Sequence, residues 1–229
     1  MKTPKQNVSE RILSIIEEIQ HKTIADIGTD HGYIPIYACM WGSVSKAVAC
    51  DIRPGPLAVA KKNIAAYNLI DKVQTRLGNG LSSVSPKEVE CVIIAGMGGD
   101  SIINILSGGK DVVANLKQLV LSPQSNVAKV RYFLHSAGWK ITNEKIVCET
   151  DKFYNIITSV QGSEPVYTKG EYAVGKILLQ KMEPHFLNYA RTQVECYERI
   201  KAKATGQRLA EIEGLLNIYK EIGKIGEIL

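Results

Sequence analysis

Long apolar runs are missing from this chain of 229 residues. Even its longer apolar stretches, such as residues 91–95 and 119–121, are far shorter than the roughly 20 residues that a helix needs to cross a bilayer. The first ten residues, MKTPKQNVSE, are polar and contain no apolar signal core. We therefore expect a cytoplasmic protein without a membrane segment.

Cysteine is scarce and poorly placed for cross-linking or metal binding. The five cysteines are odd in number, widely spaced and mostly set in apolar segments, and no CxxC pair occurs. This pattern excludes a disulfide framework and a zinc knuckle. We expect buried structural thiols and no metal site.

A basic tail and low-complexity segments are also absent. The net charge of +5 is spread along the chain, with 28 basic and 23 acidic residues. Such an excess permits a polyanionic partner without requiring one, because nucleic-acid binding depends on how charge clusters in space. With 45% hydrophobic and 22% charged residues, the composition is that of a folded globular protein.

The chain does contain an alternation of short apolar strands and helical stretches, which follows an amphipathic helix at residues 8–20. Strands that are apolar throughout are typical of a parallel sheet covered on both faces. The predicted strands are residues 23–27, 46–51, 73–77, 90–95 and 117–122, and the helical stretches between and after them are residues 33–40, 56–68, 100–106 and 126–137.

Two longer strand patterns, at residues 139–149 and 153–161, predict an antiparallel hairpin that completes a seven-stranded, Rossmann-like sheet of the class I methyltransferase type. A break rich in Gly, Pro and Ser follows, and beyond it apolar residues recur at helical spacing on both sides of Thr205-Gly206. This spacing predicts an antiparallel helical hairpin. We predict an α/β fold in two regions, a ligand-binding sheet domain at residues 1–162 and a coiled-coil-like helical domain at residues 163–229.

The first glycine turn, IADIGTDHGYIPI at residues 24–36, departs from a dinucleotide-binding fingerprint at one position. Gly28 suits the tight turn, but Asp30 stands where a pyrophosphate site needs a small uncharged residue. Together with Asp26 at the strand end, this carboxylate favours a cationic ligand. S-adenosylmethionine, which carries an ammonium and a sulfonium and no phosphate, fits this requirement.

Three more polar or glycine-rich loops follow the next three strands, and open parallel sheets bind ligands beyond such strand ends. Asp51 can accept both hydroxyls of a ribose or cap the next helix. Asn79, between two glycines, can bond an adenine edge or tolerate a left-handed turn. Met97, in a run with three glycines, can pack on a flat ring.

The stretches IADIGTDHGYIPI, ACDIRPGPLAVAKKNI, GNGL, IAGMGG and LSPQSN occur in this order, and with them the chain resembles the bacterial tRNA (adenine-22-N1)-methyltransferase family, often called TrmK, along essentially its whole length. The resemblance implies an S-adenosylmethionine-dependent enzyme that methylates N1 of an adenine in the D-arm region of tRNA. It also implies the cofactor-binding residues: Asp26, Gly28 and Asp30 at the methionine end, Asp51 and Ile52 at the ribose and adenine, Gly78, Asn79 and Gly80 over the adenine, and Gly96, Met97 and Gly98 beside the sulfonium.

Other residues are candidates for the substrate side of the site. A base extruded from tRNA needs an aromatic partner. Tyr33 is therefore a candidate for catalysis, although core packing stays open for it. Asp30 and His31, in the first loop, are further candidates, although a loop-structuring role stays open for His31. After the fifth strand, Gln124 and Asn126 are candidates for reading the base edge. Arg11 and Arg53, with basic residues of the helix at 187–208, form a possible rim for the RNA backbone.

Several alternatives stay open at this stage. The chain could be a methyltransferase for another RNA or a small molecule, a nicotinamide-dependent oxidoreductase, or a non-catalytic RNA-binding protein on this fold. AGMGG after the fourth strand, in place of the [DN]PP[YF] of adenine-N6 enzymes, argues against methylation of an exocyclic amine. We expect a monomer, although the helical hairpin can equally serve as a partner surface.

Overall fold

A computed structural model describes residues 8–225, so residues 1–7 and 226–229 of the two predicted regions lie outside the described residues. Seven strands form one sheet, and their bounds agree with the predicted ones to within two residues. They are β1 (Thr23–Ile27), β2 (Lys46–Asp51), β3 (Val73–Leu77), β4 (Cys91–Met97), β5 (Gln118–Pro123), β6 (Trp139–Glu149) and β7 (Lys152–Gln161).

The sheet has the order β3-β2-β1-β4-β5-β7-β6. The first five strands are parallel, and β7 runs antiparallel to both β5 and β6. The predicted mostly parallel sheet with a terminal antiparallel hairpin is therefore confirmed. Strand order reverses between β1 and β4, and this reversal decides where a ligand can enter.

Helices cover both faces of the sheet, because its central strands are apolar on both sides. In β4, Val92 and Ile94 belong to one apolar core, while Cys91 and Ile93 belong to the core on the opposite face. The covering helices are α1 (Glu10–Glu17), α2 (Tyr33–Met40), α3 (Pro54–Ala66), α4 (Gly99–Gly108), α5 (Lys110–Val113) and α6 (Val127–Ser136). The sequence did not predict α5 or a 3-10 turn at Gly80–Ser83.

The C-terminal region contains four helices, namely α7 (Lys169–Val174), α8 (Lys176–Lys181), α9 (Pro184–Lys201) and α10 (Gly206–Ile225). Between α9 and α10, Lys201 pairs with Glu213 at 2.9 Å and Lys220 with Glu198 at 2.6 Å. These pairings run in opposite directions along the two helices, which confirms the antiparallel helical hairpin. The short helices α7 and α8 were not predicted, because each is only six residues long.

A buried ion pair fastens the helical region to the sheet region. Arg131 of α6 donates from Nε to Glu144 of β6 at 2.6 Å, and both side chains are only 1% exposed. The same guanidinium donates to the backbone oxygens of Tyr172 at 2.9 Å and Val174 at 3.2 Å, at the end of α7. We call this contact the helical junction. The division into two domains at residue 162 stays a prediction.

The cysteines only partly match the expected burial. Cys39, Cys50 and Cys91 are buried, as predicted, whereas Cys148 and Cys196 are half-buried. The prediction was wrong for these two because they lie at the end of β6 and on the outer helix α9, where fewer layers cover them. Each helix in the part of the chain that the structure describes is too short or too polar to cross a membrane.

Candidate active site

The carboxyl ends of the parallel strands surround a cavity of about 770 Å³. It lies at the reversal of strand order between β1 and β4, where open α/β sheets bind ligands, and its volume is in the range of small-molecule sites. The loops after β1, β2, β3 and β4 all line it, and so does α1. The four loops selected from the sequence therefore meet at one site.

The loop after β1 is a tight turn fixed to the neighbouring strand. The backbone N–H groups of Gly28 and Thr29 both donate to the oxygen of Cys50 at 2.8 Å. Gly28 has a φ of +75°, and a Cβ there would collide with the methyl group of Met97. Glycine is needed at position 28 for both reasons, and its missing side chain lets the methyl group of Met97 pack against the turn.

Asp26 lies at the end of β1 beneath this turn and is only 2% exposed. Its carboxylate accepts a hydrogen bond of 2.7 Å from the hydroxyl of Thr29. Burial raises the pKa of Asp26 to about 7, the Thr29 bond opposes that rise, and the nearby charge of Asp51 adds to it. A carboxyl group in this state gains most from a cationic ligand, because the cation would stabilise its ionised form.

Asp51, at the end of β2, is 4% exposed and ties two loops together. It accepts from the backbone N–H of Asp30 at 3.2 Å and from that of Arg53 at 2.9 Å. The N-cap of α3 is Arg53, so the alternative in which Asp51 caps this helix is wrong. Ile52, the next residue, lines the cavity with an unusually exposed apolar side chain that suits an aromatic ring.

The loop after β3 is also bonded to Asp51. The backbone N–H of Gly78 donates to the backbone oxygen of Asp51 at 3.0 Å. Asn79 lines the cavity and also caps the 3-10 turn at Gly80–Ser83. Its φ is −90°, so the left-handed conformation considered for Asn79 belongs instead to Gly80, with a φ of +58°. Asn79 combines a cavity position with a structural role.

The end of β4 forms another part of the cavity wall. Gly96 has a φ of +79° and lies at an irregularity in the pairing of β4 with β5. Gly96 and Met97 line the cavity, but Gly98 does not: it is the N-cap of α4, and a Cβ there would lie 3.1 Å from the hydroxyl of Ser125. The predicted cofactor residue Gly98 is thus placed outside the cavity wall, where it serves as the N-cap of α4.

The three catalytic candidates line the cavity mouth. Asp30 and His31 are exposed, and their Oδ2 and Nδ1 atoms lie 3.7 Å apart. Tyr33 is half-exposed and stacks on Tyr37 at 5.9 Å, and Tyr37 stacks on Trp41 at 5.4 Å. These three rings are spaced four residues apart along α2, so the core aromatics hold Tyr33 in place at the outer end of the stack.

The substrate candidates are divided by the structure. Arg11, Arg53 and Gln124 line the cavity, whereas Asn126 does not. The amide of Asn126 donates to Asp100, which also pairs with Lys129 at 3.1 Å. This local network explains why Asn126 is turned away from the site. Asp100 lies in the first turn of α4, whose N-cap is Gly98.

The basic residues predicted as one RNA-binding rim fall into two separate groups. Arg199, Lys203 and Arg208 surround a second concavity of about 530 Å³ at the turn between α9 and α10. It shares no lining residue with the strand-end cavity. Lys201 is engaged by Glu213 within the hairpin, which further reduces the predicted rim.

Sequence reasoning missed several residues of the cavity wall. Thr29, which donates to Asp26, follows the glycine of the first turn. Ser101 and Asn104 of α4 are spaced three residues apart, the spacing of one helix face, but no motif marked them. Among the described residues, no group of three or more His, Cys, Asp or Glu side chains is arranged to hold a metal ion.

Comparison with known proteins identifies relatives of this architecture. Residues 8–157 match the model of a family described as a methyltransferase domain. The tRNA (adenine(22)-N(1))-methyltransferase of Bacillus subtilis (strain 168) is 29% identical over 229 residues, which cover 94% of this chain and 96% of that protein.

Solved structures extend the similarity to the helical region. A Streptococcus pneumoniae protein described as a candidate tRNA (m1A22) methyltransferase is 30% identical with a TM-score of 0.86, covering 94% of this chain and 99% of that one. That protein has also been solved in complex with S-adenosyl-L-methionine. TrmK of M. capricolum, in complex with S-adenosyl-homocysteine, is 26% identical with a TM-score of 0.83, covering 95% of this chain and 98% of that one.

Proposed function

The chain belongs to the methyltransferase-domain family and, within it, to the TrmK-like class I enzymes that use S-adenosylmethionine, and we propose that it methylates N1 of adenine 22 in the D-arm region of tRNA. The single observation that carries this proposal is the cavity at the reversal of strand order. It combines two buried carboxylates with glycine turns at the ends of adjacent strands. These features match a cationic nucleoside cofactor.

The residues of the cavity fit S-adenosylmethionine on chemical grounds. Asp26, whose pKa is raised to about 7, is suited to a cationic part of the cofactor, and Asp51 has a carboxylate within reach of ribose hydroxyls. Gly96 leaves open space in which a side chain would otherwise stand, and Gly28 allows the tight turn that packs against Met97. A dinucleotide is less suitable, because Asp30 places a carboxylate at the position where a pyrophosphate would bind.

Methyl transfer to adenine N1 does not require a general base from this chain. When bound, the cofactor supplies an activated methyl group on a sulfonium, and adenine N1 already carries the lone pair that attacks it. The residues must therefore orient the base in line and exclude water. Tyr33, fixed by the stack on α2, is placed to support the extruded base, and Gln124 lines the cavity as a donor and acceptor for its edge.

Positive charge develops on the adenine ring as its N1 is methylated. Asp30 is an exposed carboxylate that lines the cavity, and Tyr33, which lines it too, has a ring with negatively polarised faces. Both groups can stabilise a cationic purine without accepting a proton. We propose these electrostatic roles for Asp30 and Tyr33, and a positioning role for His31 through its contact with Asp30.

We also propose that the helical region at residues 163–229 binds tRNA as a separate domain, and that the protein acts as a cytoplasmic monomer. The concavity formed by Arg199, Lys203 and Arg208 offers cationic donors suited to phosphates. Truncation of the chain at residue 162 would test the division. A folded fragment that retains S-adenosylhomocysteine binding and loses tRNA affinity is expected, whereas a fragment that cannot fold would contradict independent domains.

The activity is tested by transfer of labelled methyl groups from S-adenosylmethionine to unmodified tRNA transcripts with adenine or guanine at position 22. We expect 1-methyladenosine in the adenine transcript and no label in the guanine transcript. Equal labelling of both would place the target elsewhere. Binding of S-adenosylhomocysteine without transfer to either would favour the non-catalytic alternative, and stabilisation by NADH in place of S-adenosylhomocysteine would favour the oxidoreductase.

A further inference from the structure

Tyr132 of α6 is the most exposed tyrosine, phenylalanine or tryptophan among the described residues, at 63% exposure. Its ring meets the ring of Tyr172 of α7 edge to face, with 5.6 Å between the centroids and 65° between the planes. This contact supports the ring of Tyr132 and leaves most of it open to solvent. A single exposed aromatic ring is common on protein surfaces, so its meaning depends on how the protein holds it and on what surrounds it.

A nearly buried polar network holds Tyr172 in place. Its hydroxyl is hydrogen-bonded to Nδ1 of His135 at 2.9 Å, and Nε2 of the same imidazole donates to Glu164 at 2.9 Å. Glu164 also accepts from the backbone N–H of Ile141 at 2.7 Å, and the side chains of His135 and Glu164 are only 10% and 11% exposed. Groups from α6, from the segment before α7 and from β6 therefore fix the position of the Tyr172 ring.

The exposed ring of Tyr132 is ordered before any partner arrives, because the ring that supports it is fixed. The backbone oxygen of Tyr172 is fixed as well, since it accepts from Arg131 of the helical junction at 2.9 Å. Covering a side chain normally costs conformational entropy, and a side chain that is already ordered loses less of it on binding. The ring of Tyr132 is thus suited to binding a flat partner.

Lysines flank this pair of tyrosines in the same way on both helices. Lys129 precedes Tyr132 by three residues on α6, and Lys169 precedes Tyr172 by three residues on α7. Residues at this spacing share a helix face, and both lysines are exposed. Lys129 pairs with Asp100 at 3.1 Å, an exposed contact of small energy that a phosphate can replace. We call the surface formed by Lys129, Tyr132, Lys169 and Tyr172 the α6–α7 patch.

The α6–α7 patch adjoins both parts of the molecule to which we assign tRNA binding. Helix α6 begins three residues after Gln124 of the cavity wall. Through Tyr172 the patch also belongs to the helical region, whose outer turn contains the basic concavity. An RNA that contacts the cavity and the helical region therefore matches this surface better than a separate protein or a membrane, because the same molecule is held on both sides of the patch.

A nucleotide matches the patch in shape and in charge. Every nucleobase has a flat π face that stacks on a tyrosine ring, and lysines beside the ring bind the adjacent phosphates. A base inside a duplex has both faces covered by its neighbours, so the partner must be unpaired. We propose that the α6–α7 patch binds an unpaired nucleotide of tRNA, with its base on Tyr132 and its phosphates beside Lys129 and Lys169.

This inference rests on tRNA as the proposed substrate and adds a contact outside the strand-end cavity, distinct from the one assigned to Tyr33 for the target base. The first measurement is the affinity of Tyr132→Ala for a labelled, unmodified tRNA transcript by fluorescence anisotropy. The affinity should fall by about tenfold, which corresponds to about 1.4 kcal/mol for one stacked base. The KM for tRNA should rise by a similar factor, and kcat and S-adenosylhomocysteine affinity should not change. Tyr132→Trp, with a larger ring, should bind tRNA at least as tightly as the wild type.

Ionic strength separates a stacked base from a phosphate contact. Tyr132→Ala should leave the slope of log affinity against log salt unchanged, whereas Lys169→Gln should lower it by about one unit. Tyr172→Phe keeps the supporting ring but removes the hydroxyl that is bonded to His135. It should weaken tRNA binding by about threefold, because ordering the two rings then uses part of the binding energy.

Ile70→Ala is the matched control, because Ile70 is 67% exposed and lies just before the amino end of β3, away from the strand-end loops. It should change none of these values, and thermal melting reports whether each variant folds. Wild-type tRNA affinity in Tyr132→Ala would overturn the proposal. If that variant instead altered only the sedimentation coefficient, the patch would be a contact between copies of the chain, and the proposal would be wrong.

A blunt RNA duplex is the second probe, since its inner bases offer no free face. Tyr132→Ala and the wild type should bind it equally, and a loss as large as that for tRNA would exclude an unpaired base as the partner. Failure of the proposed function gives a different result. A wild-type protein without affinity for tRNA would lose its substrate, whereas a wild type that binds and methylates tRNA, with an unaffected Tyr132→Ala, would keep the function and lose only the patch.

Discussion

Buried carboxylates occur in two regions of this molecule, and their surroundings differ. At the helical junction, Glu144 is paired with Arg131, which also binds carbonyls of α7. In the strand-end cavity, the carboxylate of Asp26 has the hydroxyl of Thr29 as its only side-chain partner within residues 8–225, and its pKa is raised to about 7. The charge of Glu144 is matched by the guanidinium of Arg131, although Glu144 Oε2 has no hydrogen-bond partner among the described residues, whereas no cation among them pairs with Asp26. A buried charge that the fold leaves unmatched is the stronger indication of a ligand site.

The largest expected effect concerns the junction. Arg131→Ala should lower the free energy of unfolding by about 3–5 kcal/mol, because it leaves Glu144 buried without its partner. Urea denaturation measures this loss, and S-adenosylhomocysteine titration of the folded fraction should show an unchanged affinity. Arg131→Met combined with Glu144→Leu is the control and should restore much of the stability. Weaker cofactor binding in folded Arg131→Ala would break the distinction between the two regions.

Asp26→Ala should have the opposite effect. Its affinity for S-adenosylhomocysteine should fall by about 10-fold to 100-fold, because a charge-assisted contact is lost. The free energy of unfolding should stay the same or rise, since a carboxyl group that is costly to bury has been removed. Calorimetry and urea denaturation give the two values. Asp71→Ala, an exposed carboxylate before β3, is the control and should change neither.

A comparison of Gly28→Ala with Gly138→Ala separates the cost of a positive φ from the cost of the close contact at the first loop. Position 28 has a φ of +75° and a Cβ there would meet Met97, while Gly138 has a similar φ of +78° with no atom within 4 Å. Gly138→Ala should therefore cost about 1–2 kcal/mol of stability from backbone strain alone. Gly28→Ala should cost more than this and also weaken S-adenosylhomocysteine binding. Equal losses of stability, with full cofactor affinity in both, would contradict the close packing at the first loop.

The sheet and its strand-end loops could be predicted because they depend on short-range patterns. Apolar runs mark the strands, and the Gly28 and Gly96 turns show directly in the residue types. Parallel strands bring their carboxyl ends to one edge, so four separate loops predicted one cavity. The antiparallel hairpin β6–β7 also followed from pattern alone.

Other features depend on contacts that no local pattern contains. The pairing of Arg131 with Glu144 joins an amphipathic helix to a strand, and neither residue differs in sequence from an ordinary surface charge. Asn126 was predicted at the site from its place after β5, but its bond to Asp100 turns it away. Arg11 was assigned to an outer rim, since the sequence does not show that α1 packs beside the cavity.

A smaller effect is expected when stability and cofactor affinity are measured as a function of pH. Because the pKa of Asp26 is raised to about 7, its contribution to stability is present at low pH and declines as the pH rises toward 7. The ammonium group of S-adenosylhomocysteine favours the ionised form of Asp26, so the affinity for this ligand should rise by about tenfold between pH 6 and pH 8. Asp26→Asn should flatten both profiles. A wild-type affinity that falls over this range would show that Asp26 does not face a cation.

The smallest expected effect concerns Tyr33 in the strand-end cavity. Its exposed ring is held in place by stacking on Tyr37, which in turn stacks on Trp41. Tyr33→Ala should raise the KM for tRNA by a factor of a few, corresponding to about 0.5–1.5 kcal/mol of aromatic contact. Tyr33→Phe keeps the ring and should behave as the wild type. S-adenosylhomocysteine affinity should not change in either variant, since the ring is assigned to the base. If Tyr33→Ala weakened the cofactor and left the KM for tRNA unchanged, the ring would belong to the cofactor side of the cavity.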